Sequence, residues 1–431
     1  MAMANDPADK IDAKQIDAKQ IGGIKRLRHL LPLLADLREV GCDRDAAGNR
    51  QLHFDEYVTL VLLYLMNPLI DSVRGLQKAS AIDKVSQQLG VKRFSLGSFS
   101  ESVRVFDPEK LKAVIAQLAG ELKPINADPR LKSHLPHALM IADGTVLDAI
   151  ASVSAAAWLP LQDGSTKHAW KLHVQFDFDH FIPADVELTD ARNTGKSDEK
   201  NVLRKKLAKD RCYVMDRWFG QFTLFNEIHA KASSYVCRIK ENSVFEVREE
   251  RLLGDEALKA GVVRDAVVRM GLHSQPRDRP DHPMRLIVIE AQPHEKRGGA
   301  KGKTAGPGNQ GTIVIATNLL DVPAEIIALI YQHRWAIEIF FRFFKQMLGC
   351  RHLVSHKPQG ILIQVYCAII ACLLINLWTG KRPNKRTVEM LAWYLAGVAT
   401  EAEVLAHLNQ PDNTGVKLRA KDELWKKLGV N

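Results

Sequence analysis

The spacing of apolar residues changes twice along the chain. From Ile24 to about Leu122 it is helical, and it predicts helices over IKRLRHLLPLLADLREV, FDEYVTLVLLYLMNPL, IDKVSQQLGV and FDPEKLKAVIAQLAGEL. Near His134 the pattern becomes that of short strands, and near Pro323 helical spacing returns. The sequence therefore predicts an α/β protein in which helical regions precede and follow the strands of a sheet along the chain.

Two short apolar runs each end on an aspartate. HALMIAD ends on Asp143 and RCYVMD ends on Asp216, and both predict buried strands that stop at a carboxylate. WKLHVQFDFD and FIPADVELT predict a hairpin with a two-residue turn at Asp179 and His180. A basic helix over residues 197–209 would then return the chain to a parallel strand. A helix and the strand SSYVCRIK are expected after Asp216.

The stretch from Glu241 to Asn318 has a different rhythm. The strand-like pieces GVVRDAVVRM, MRLIVIEAQ and GTIVIATNLL are separated by long turns, and EKRGGAKGKTAGPGNQG has little to bury. We interpret this stretch as a mainly β insertion.

The segment YQHRWAIEIFFRFFK predicts a helix that is buried nearly all round and carries one polar stripe. At about 100° per residue, an arc of roughly 80° contains five polar side chains, namely Tyr331, Arg334, Glu338, Arg342 and Lys345. Burying a carboxylate among three cations is costly unless a function needs them together. The alternative is a core helix with an internal Glu338–Arg342 ion pair.

The three acids suggest a metal site. Strand ends of an α/β sheet converge at one edge, so Asp143 and Asp216 are expected to meet there, with Glu338 supplied by the helix. Three carboxylates in one cleft repel unless divalent cations compensate them. Mg²⁺ prefers oxygen ligands, and two ions about 3.5–4 Å apart suit phosphoryl transfer. Taken singly, each aspartate is equally explained as a turn or cap residue.

Composition agrees with a polyanionic partner. Sixty Lys and Arg against 50 Asp and Glu give a formal net charge of +10 and a pI near 9.2, which favours nucleic acid over membrane. Six scattered cysteines without metal-ligand spacing indicate a reducing cytosol. The first residues contain no apolar secretion signal. The apolar stretch from Ile361 to Trp378 raises a membrane alternative, but Gln364 and Asn376 interrupt it, which favours a core helix.

These motifs resemble a known family. The spacing Y-x2-R-x3-E-x6-K from Tyr331 to Lys345 is similar to the signature of IS4-type insertion-sequence transposases, members of the DDE group with a ribonuclease-H-like core. DGTVL at Asp143, KLHVQFDFDHFIPADVELTDAR, YVMDRWFGQF and YVCRIKEN resemble further blocks of that family. The similarity extends from about Asp143 to Leu353.

The resemblance implies a fold, a reaction and a site. The fold would be a ribonuclease-H-like mixed sheet flanked by helices, with a β insertion before the last catalytic helix. Asp143, Asp216 and Glu338 would bind two Mg²⁺ ions, for which Mn²⁺ would substitute. The residues expected to contact DNA phosphates are Tyr331, Arg334, Lys345, Arg342, Arg238 and Lys240.

The expected partner is double-stranded DNA, both transposon ends and target. A homodimer on DNA is expected by resemblance, with no membrane association and a place in the bacterial cytosol at the nucleoid. Metal-dependent cleavage would free a 3′ hydroxyl that then attacks target DNA. Two alternatives stay open: a ribonuclease-H-like nuclease without strand transfer, and a domesticated DNA-binding regulator.

One feature departs from the family pattern. Some relatives use a tryptophan in the inserted β region to hold a flipped base while a DNA hairpin forms. Between Glu241 and Asn318 this chain has no tryptophan, and Phe245 is its only aromatic residue. A lone apolar aromatic usually lies in a core, so a hairpin route is not carried over.

The predicted domains follow from these textures. Residues 1–22 form a mobile tail, and 23–130 form an N-terminal helical domain that would bind DNA or act as a plain helical lid. Residues 131–240 and 319–380 form the two parts of the catalytic core. Residues 241–318 are the β insertion, and 381–431 form a C-terminal helical region that includes the basic stretch KRPNKR and the amphipathic LRAKDELWKKLGV.

Overall fold

The computed structural model describes twelve stretches of the chain, namely residues 30–40, 48, 50–67, 69–125, 128–148, 157–160, 166–290, 311–348, 354–355, 357–380, 385–395 and 398–409. Its contacts divide into two compact units. The first takes its described residues from Met1–Val114, Met347–Val354 and Ile370–Asn431, and the second from Ile115–Gln346 and Ser355–Ile369. The predicted domain boundaries stay predictions.

The helices that the structure describes are, in chain order, α1 (Leu31–Leu34), α2 (Leu37–Val40), α3 (Phe54–Met66), α4 (Val73–Ser80), α5 (Asp83–Leu89), α6 (Leu96–Ser102), α7 (Leu111–Glu121), α8 (Pro129–His134), α9 (Glu199–Lys205), α10 (Phe222–Ala230), α11 (Asp255–Lys259), α12 (Ala324–Gln332), α13 (Trp335–Leu348), α14 (Pro358–Thr379), α15 (Lys385–Leu395) and α16 (Glu401–Leu408).

The described strands are β1 (Ala138–Asp148), β2 (Ala157–Pro160), β3 (Thr166–Asp177), β4 (Ile182–Asp190), β5 (Arg211–Met215), β6 (Ser234–Arg238), β7 (Phe245–Glu250), β8 (Val262–Met270), β9 (Met284–Glu290) and β10 (Thr312–Thr317).

The first unit is helical, and aromatic rings form the centre of its core. The rings of Phe54 and Phe106 stack with centroids 4.7 Å apart, and those of Tyr57 and Phe99 with centroids 4.4 Å apart. Helix α3 is buried along almost its whole length, as its apolar sequence predicts. Stacked rings add specific geometry to the area they bury, so they fix how α3 and α6 pack.

The long helix predicted from Ile24 is wrong in its described part. The structure has α1 and α2, each of four residues, with Pro32 in the first turn of α1. Proline is tolerated in a first turn but breaks a helix interior, so a helix cannot run through Pro32. Helices α4 and α6 were not predicted. Their N-terminal amides are capped by the Ser72 and Ser95 side chains.

The second unit is built on one ten-stranded sheet. Its order is β2-β3-β1-β5-β6-β10-β9-β8-β7, and β4 also pairs with β3. Strand β3 is antiparallel to β1 and β4, whereas β1, β5 and β6 are parallel. An antiparallel run followed by two parallel strands after a crossover helix is the arrangement of a ribonuclease-H-like core. The predicted fold class is confirmed.

The β insertion continues the same sheet. Its last strand, β10, pairs antiparallel with the core strand β6, with Ile315 opposite Arg238. Strands β9, β8 and β7 then extend the sheet outward. The three predicted strand-like pieces are β8, β9 and β10, while β7 and α11 were not predicted. Phe245 packs against the core of this sheet and is partly buried, as expected for a lone aromatic.

Two details of the predicted sheet are wrong. Strand β1 does not end at Asp143 but continues to Asp148, because its antiparallel pairing with β3 extends beyond its parallel pairing with β5. The connection between β3 and β4 is four residues, 178–181, in place of the predicted two. It includes Phe181 with φ of +57°, and its buried ring contacts Phe176.

Helix α14 is long and apolar enough to cross a membrane by length and composition, and within the described residues it alone passes that test. A core helix passes the same test, and 89% of its most apolar window is buried inside the protein. The prediction of a buried helix is confirmed. Four cysteines are described, and all are buried free thiols, namely Cys212, Cys237, Cys367 and Cys372.

Several predicted segments lie outside the described residues. These are the tail 1–22, residues 295–310 of the Gly and Lys rich loop, residues 381–384 of KRPNKR, and the predicted amphipathic helix over 418–430.

A buried ion pair in the inserted strands gives a test of the fold. Arg285 on β9 donates through Nε and Nη2 to the Asp265 carboxylate on β8, at 2.7 and 2.6 Å. Removing one partner leaves a buried charge without its counter-charge. D265N should therefore lower the free energy of unfolding by about 3–5 kcal/mol in urea denaturation. The exposed Lys259–Glu256 pair is the control, and E256Q should cost less than about 1 kcal/mol. Equal stability of D265N and E256Q would contradict this account.

Candidate active site

Asp143 and Asp216 lie side by side in the sheet. The parallel pairing of β1 with β5 ends where Ala142 lies opposite Met215, and the next residue is Asp143 on β1 and Asp216 directly after β5. Asp216 is half-buried and caps the short 3₁₀ turn Arg217–Phe219, its Oδ1 accepting from the Trp218 amide at 2.8 Å. The predicted meeting of these two acids is therefore observed.

The Asp143 carboxylate is crowded by other charges. Its Oδ1 accepts from the Gly144 amide at 2.7 Å, and its Oδ2 lies 3.4 Å from Arg334 Nη1. Burial raises the pKa of Asp143 to about 7. The Gly144 amide and Arg334 oppose that rise, and the nearby carboxylates of Asp216 and Glu199 add to it. The Asp143 carboxylate is thus both buried and close to two other acids.

Arg334 links the first acid to the third. Its Nη2 donates to Glu338 Oε1 at 3.0 Å, while its Nη1 faces Asp143. Burial disfavours the Arg334 cation, but Tyr331, Asp143 and Glu338 outweigh that effect and raise its pKa. One guanidinium therefore joins Glu338 to the pair of aspartates. The alternative hypothesis paired Glu338 with Arg342 instead.

The predicted continuous helix is wrong. Helix α12 ends at Gln332, His333 and Arg334 form a turn, and α13 begins at Trp335. The Ala336 amide bonds the His333 carbonyl and the Ile337 amide bonds the Arg334 carbonyl, so i to i+3 bonds replace the α-helical pattern there. Arg334 thus leaves the regular helix beside Asp143.

The predicted burial all round the helix is also wrong. Trp335 is 45% exposed and Ile339 is 37% exposed, and Arg342 and Lys345 are exposed as well. The buried face consists of phenylalanines, among them Phe340, whose ring lies 5.1 Å from that of Phe176 on β3. The cost of burying polar groups on this stripe therefore falls on Arg334 and Tyr331.

The other predicted DNA contacts surround the acids unevenly. Burial raises the pKa of Tyr331, Arg334 and Arg238 lower it, and Asp216 raises it further, so these groups share one electrostatic neighbourhood. Arg238 is bound to Glu241 at 2.7 Å. Lys240 is exposed at the end of this group. The structure thus brings Tyr331, Arg334 and Arg238 near the acids, and leaves Arg342, Lys345 and Lys240 on the surface.

Two charged residues near Asp143 were missed from the sequence. Lys171 on β3 and Glu199 at the start of α9 form a buried ion pair with Nζ and Oε1 2.6 Å apart. Glu199 stands beside a helix-capping aspartate, Asp198, where an acidic residue is ordinary. Periodicity gave no signal that either side chain would face Gly144.

The three acids form a donor set that suits a divalent cation. Among the described residues, no three His, Cys, Asp or Glu side chains converge closely enough to hold an ion as they stand. The donor set is nevertheless all carboxylate oxygen, which hard cations prefer. Burial raises the pKa of Asp143, and a cation bound beside the carboxylate would oppose that rise. Arg334 supplies positive charge to two of these acids, Asp143 and Glu338.

The pKa of Asp143 predicts how stability without metal depends on pH. The carboxyl titrates near 3.8 when free and near 7 in the fold, so its contribution is complete below about pH 4 and is lost as pH rises through 7. In urea titrations with EDTA at pH 8, the free energy of unfolding of D143N should exceed that of wild type by on the order of 1–3 kcal/mol. The difference should be smaller at pH 5.

Asp190 is the control for this prediction. Its pKa is lowered by the hydrogen bond from Arg192, so D190N should not gain stability at pH 8. An Asp143→Asn protein less stable than wild type at pH 8 would show that the ionised Asp143 carboxylate does not destabilise the fold.

Comparison with known proteins identifies the family. Residues 135–374, more than half of the chain, match the family model described as Transposase DDE domain. The "Probable transposase for insertion sequence element IS5377" of Geobacillus stearothermophilus is 26% identical over 305 residues, which are 69% of this chain and 71% of that protein. The "Transposase for insertion sequence element IS421" of Escherichia coli is 22% identical over 258 residues, 55% of this chain and 65% of that protein.

A solved structure was also matched: the piggyBac transposase synaptic complex with hairpin DNA gives a TM-score of 0.42 at 11% identity, over 92% of this chain and 83% of that chain. That likeness is too weak to carry an argument. The family match covers both aspartates and Glu338, and the resemblance seen in the sequence is confirmed. The chain belongs to the DDE transposase family of insertion sequences.

Proposed function

We propose that Asp143, Asp216 and Glu338 hold the metal with which this transposase cuts the ends of its element and joins them to target DNA. The observation that carries the proposal is the double contact of Arg334, which reaches Asp143 and Glu338 at once while Asp216 lies beside Asp143. Residues far apart in the chain are thereby assembled at one end of the parallel strand pair.

Dependence on a divalent metal belongs to the DDE domain. We propose two Mg²⁺ ions, with Mn²⁺ as a substitute, because all three donors are carboxylates. When bound, such ions activate the attacking water or hydroxyl and neutralise charge on the leaving 3′ oxygen. For its part, Asp143 must lose its proton to bind a cation, so metal affinity should weaken below about pH 7.

Arg334 has a second role in this proposal. A metal cation between the acids would weaken the ion pairs that Arg334 makes with Asp143 and Glu338. The released guanidinium, at the edge of the site, can hold a DNA phosphate through two hydrogen bonds. Tyr331 and Arg238 interact electrostatically with each other, and in this proposal they would contact that phosphate or its neighbour. Arg342, Lys345 and Lys240 would follow the DNA backbone at the surface.

Assembly and location complete the proposal. Cutting two ends in concert needs one site for each end, which supports a homodimer on DNA. A basic protein that acts on chromosomal DNA would work in the bacterial cytosol at the nucleoid.

Carboxylate substitution is the first test. D143N, D216N and E338Q should each lower Mg²⁺-dependent cleavage of a transposon-end duplex by about 10³-fold or more, since metal binding contributes several kcal/mol to the transition state. Cleavage is measured on labelled DNA in denaturing gels, with E256Q as a surface control expected to keep wild-type activity. If the three variants fold normally and still cut, the site is wrongly placed.

A joining assay separates the transposase from its nuclease rival. With a pre-cut end that carries a free 3′ hydroxyl, wild-type protein and Mg²⁺ should give a joined product in plasmid DNA. Hydrolysis without any joined product would favour a nuclease. Specific DNA binding with no cleavage under any divalent ion would favour a regulator.

A further inference from the structure

A buried ion pair lies directly behind the Asp143 strand. Lys171 and Glu199 have side chains 14% and 9% exposed. An ideal Cβ on Gly144 would lie 2.6 Å from Glu199 Oε1 and 2.9 Å from Lys171 Cε. The pair therefore occupies the space that any other residue would need at position 144.

Three elements meet at this pair. Lys171 comes from β3, Glu199 from the first turn of α9, and Gly144 from β1. The Asn193 side chain joins them, because its Oδ1 accepts from Lys171 Nζ at 3.3 Å and from the Glu199 amide at 3.2 Å. Asn193 has φ of +56°, a conformation that asparagine tolerates better than most residues. The arrangement is thus built from side chain and backbone together.

Gly144 transmits the position of the pair to Asp143. Its amide donates to Asp143 Oδ1 at 2.7 Å, the shortest hydrogen bond described for that carboxylate. Successive side chains of a strand point to opposite faces. The ion pair therefore supports the back of the strand at Gly144, while Asp143 projects to the other face toward Arg334.

Stability alone does not account for this pair. A buried ion pair often contributes nothing beyond what an apolar pair of similar volume would give. Glu199 also brings a further carboxylate near those of Asp143 and Asp216, and it adds to the rise in the pKa of Asp143. Lys171 offsets that charge locally. Such a costly arrangement is better explained by what it holds in place.

We propose that Lys171 and Glu199 are positioning residues for Asp143, fixing the Gly144 backbone and through it the direction of the carboxylate toward the metal. The inference rests on the proposed function of Asp143. It assigns neither residue a contact with metal or DNA. It predicts that disturbing the pair loosens metal binding in a protein that still folds and still binds DNA.

Two variants disturb the pair by different routes. K171M/E199L replaces it with an apolar pair, and G144A pushes it aside, because the contacted atoms are the ends of flexible side chains. Outer-shell substitutions typically weaken metal affinity by about 10–100-fold. We expect a loss of that size in the dissociation constant for Mn²⁺, read from the EPR signal of free Mn²⁺, with an unchanged dissociation constant for transposon-end DNA.

The buried Asp265–Arg285 pair is the matched control, since it lies in the same sheet but in the inserted strands. D265N, assayed below its unfolding temperature, should keep the wild-type Mn²⁺ affinity. Wild-type Mn²⁺ affinity in both folded variants would overturn the inference and leave the proposed function intact. Unfolding of both variants would overturn it too, because the pair would then serve the fold. Wild-type protein that binds no Mn²⁺ would overturn the inference together with the proposed function.

Discussion

The contact of one guanidinium with two carboxylates holds the acids of the second unit together. Arg334 neutralises part of a negative cluster formed where β1 and β5 end their parallel pairing, and it ties helix α13 to that point. Without a positive group beside them, three acids so placed would repel one another, and Asp143 would keep its proton. Under the proposed function, Arg334 would hold Asp143 and Glu338 together before metal and DNA arrive, and its release would couple metal binding to DNA binding.

The sheet explains how distant residues reach this point. The β insertion returns through β10, which pairs with β6, the parallel neighbour of β5. The chain then enters α12 and α13 beside the strands that carry the aspartates. Because the insertion is hydrogen-bonded into the core sheet, the strand that leads back to Glu338 has a fixed register. The turn at His333 and Arg334 interrupts the helix, and the Arg334 guanidinium lies at the acids.

Much of this architecture follows from sequence patterns, and the exceptions have physical causes. Apolar runs ending in Asp143 and Asp216 located the two parallel strands, but Asp143-Gly144 suggests a turn, and only the partner strand β3 shows that β1 continues. The 3.6-residue period placed Tyr331 and Glu338 on one stripe, but hydrogen bonds with a three-residue spacing at Arg334 interrupt it. Lys171 and Glu199 escaped notice because tertiary pairing carries no local periodicity.

We propose that Asp143, Asp216 and Glu338 share one metal site, and that Arg334 contacts two of these carboxylates until metal and DNA bind. Anomalous X-ray diffraction from crystals grown with Mn²⁺ and transposon-end DNA tests it most directly. The account predicts two manganese peaks bounded by oxygens of these three residues, with the Arg334 guanidinium moved onto a phosphate. Manganese bound elsewhere, or Arg334 still joined to Asp143 and Glu338 beside bound DNA, would contradict it.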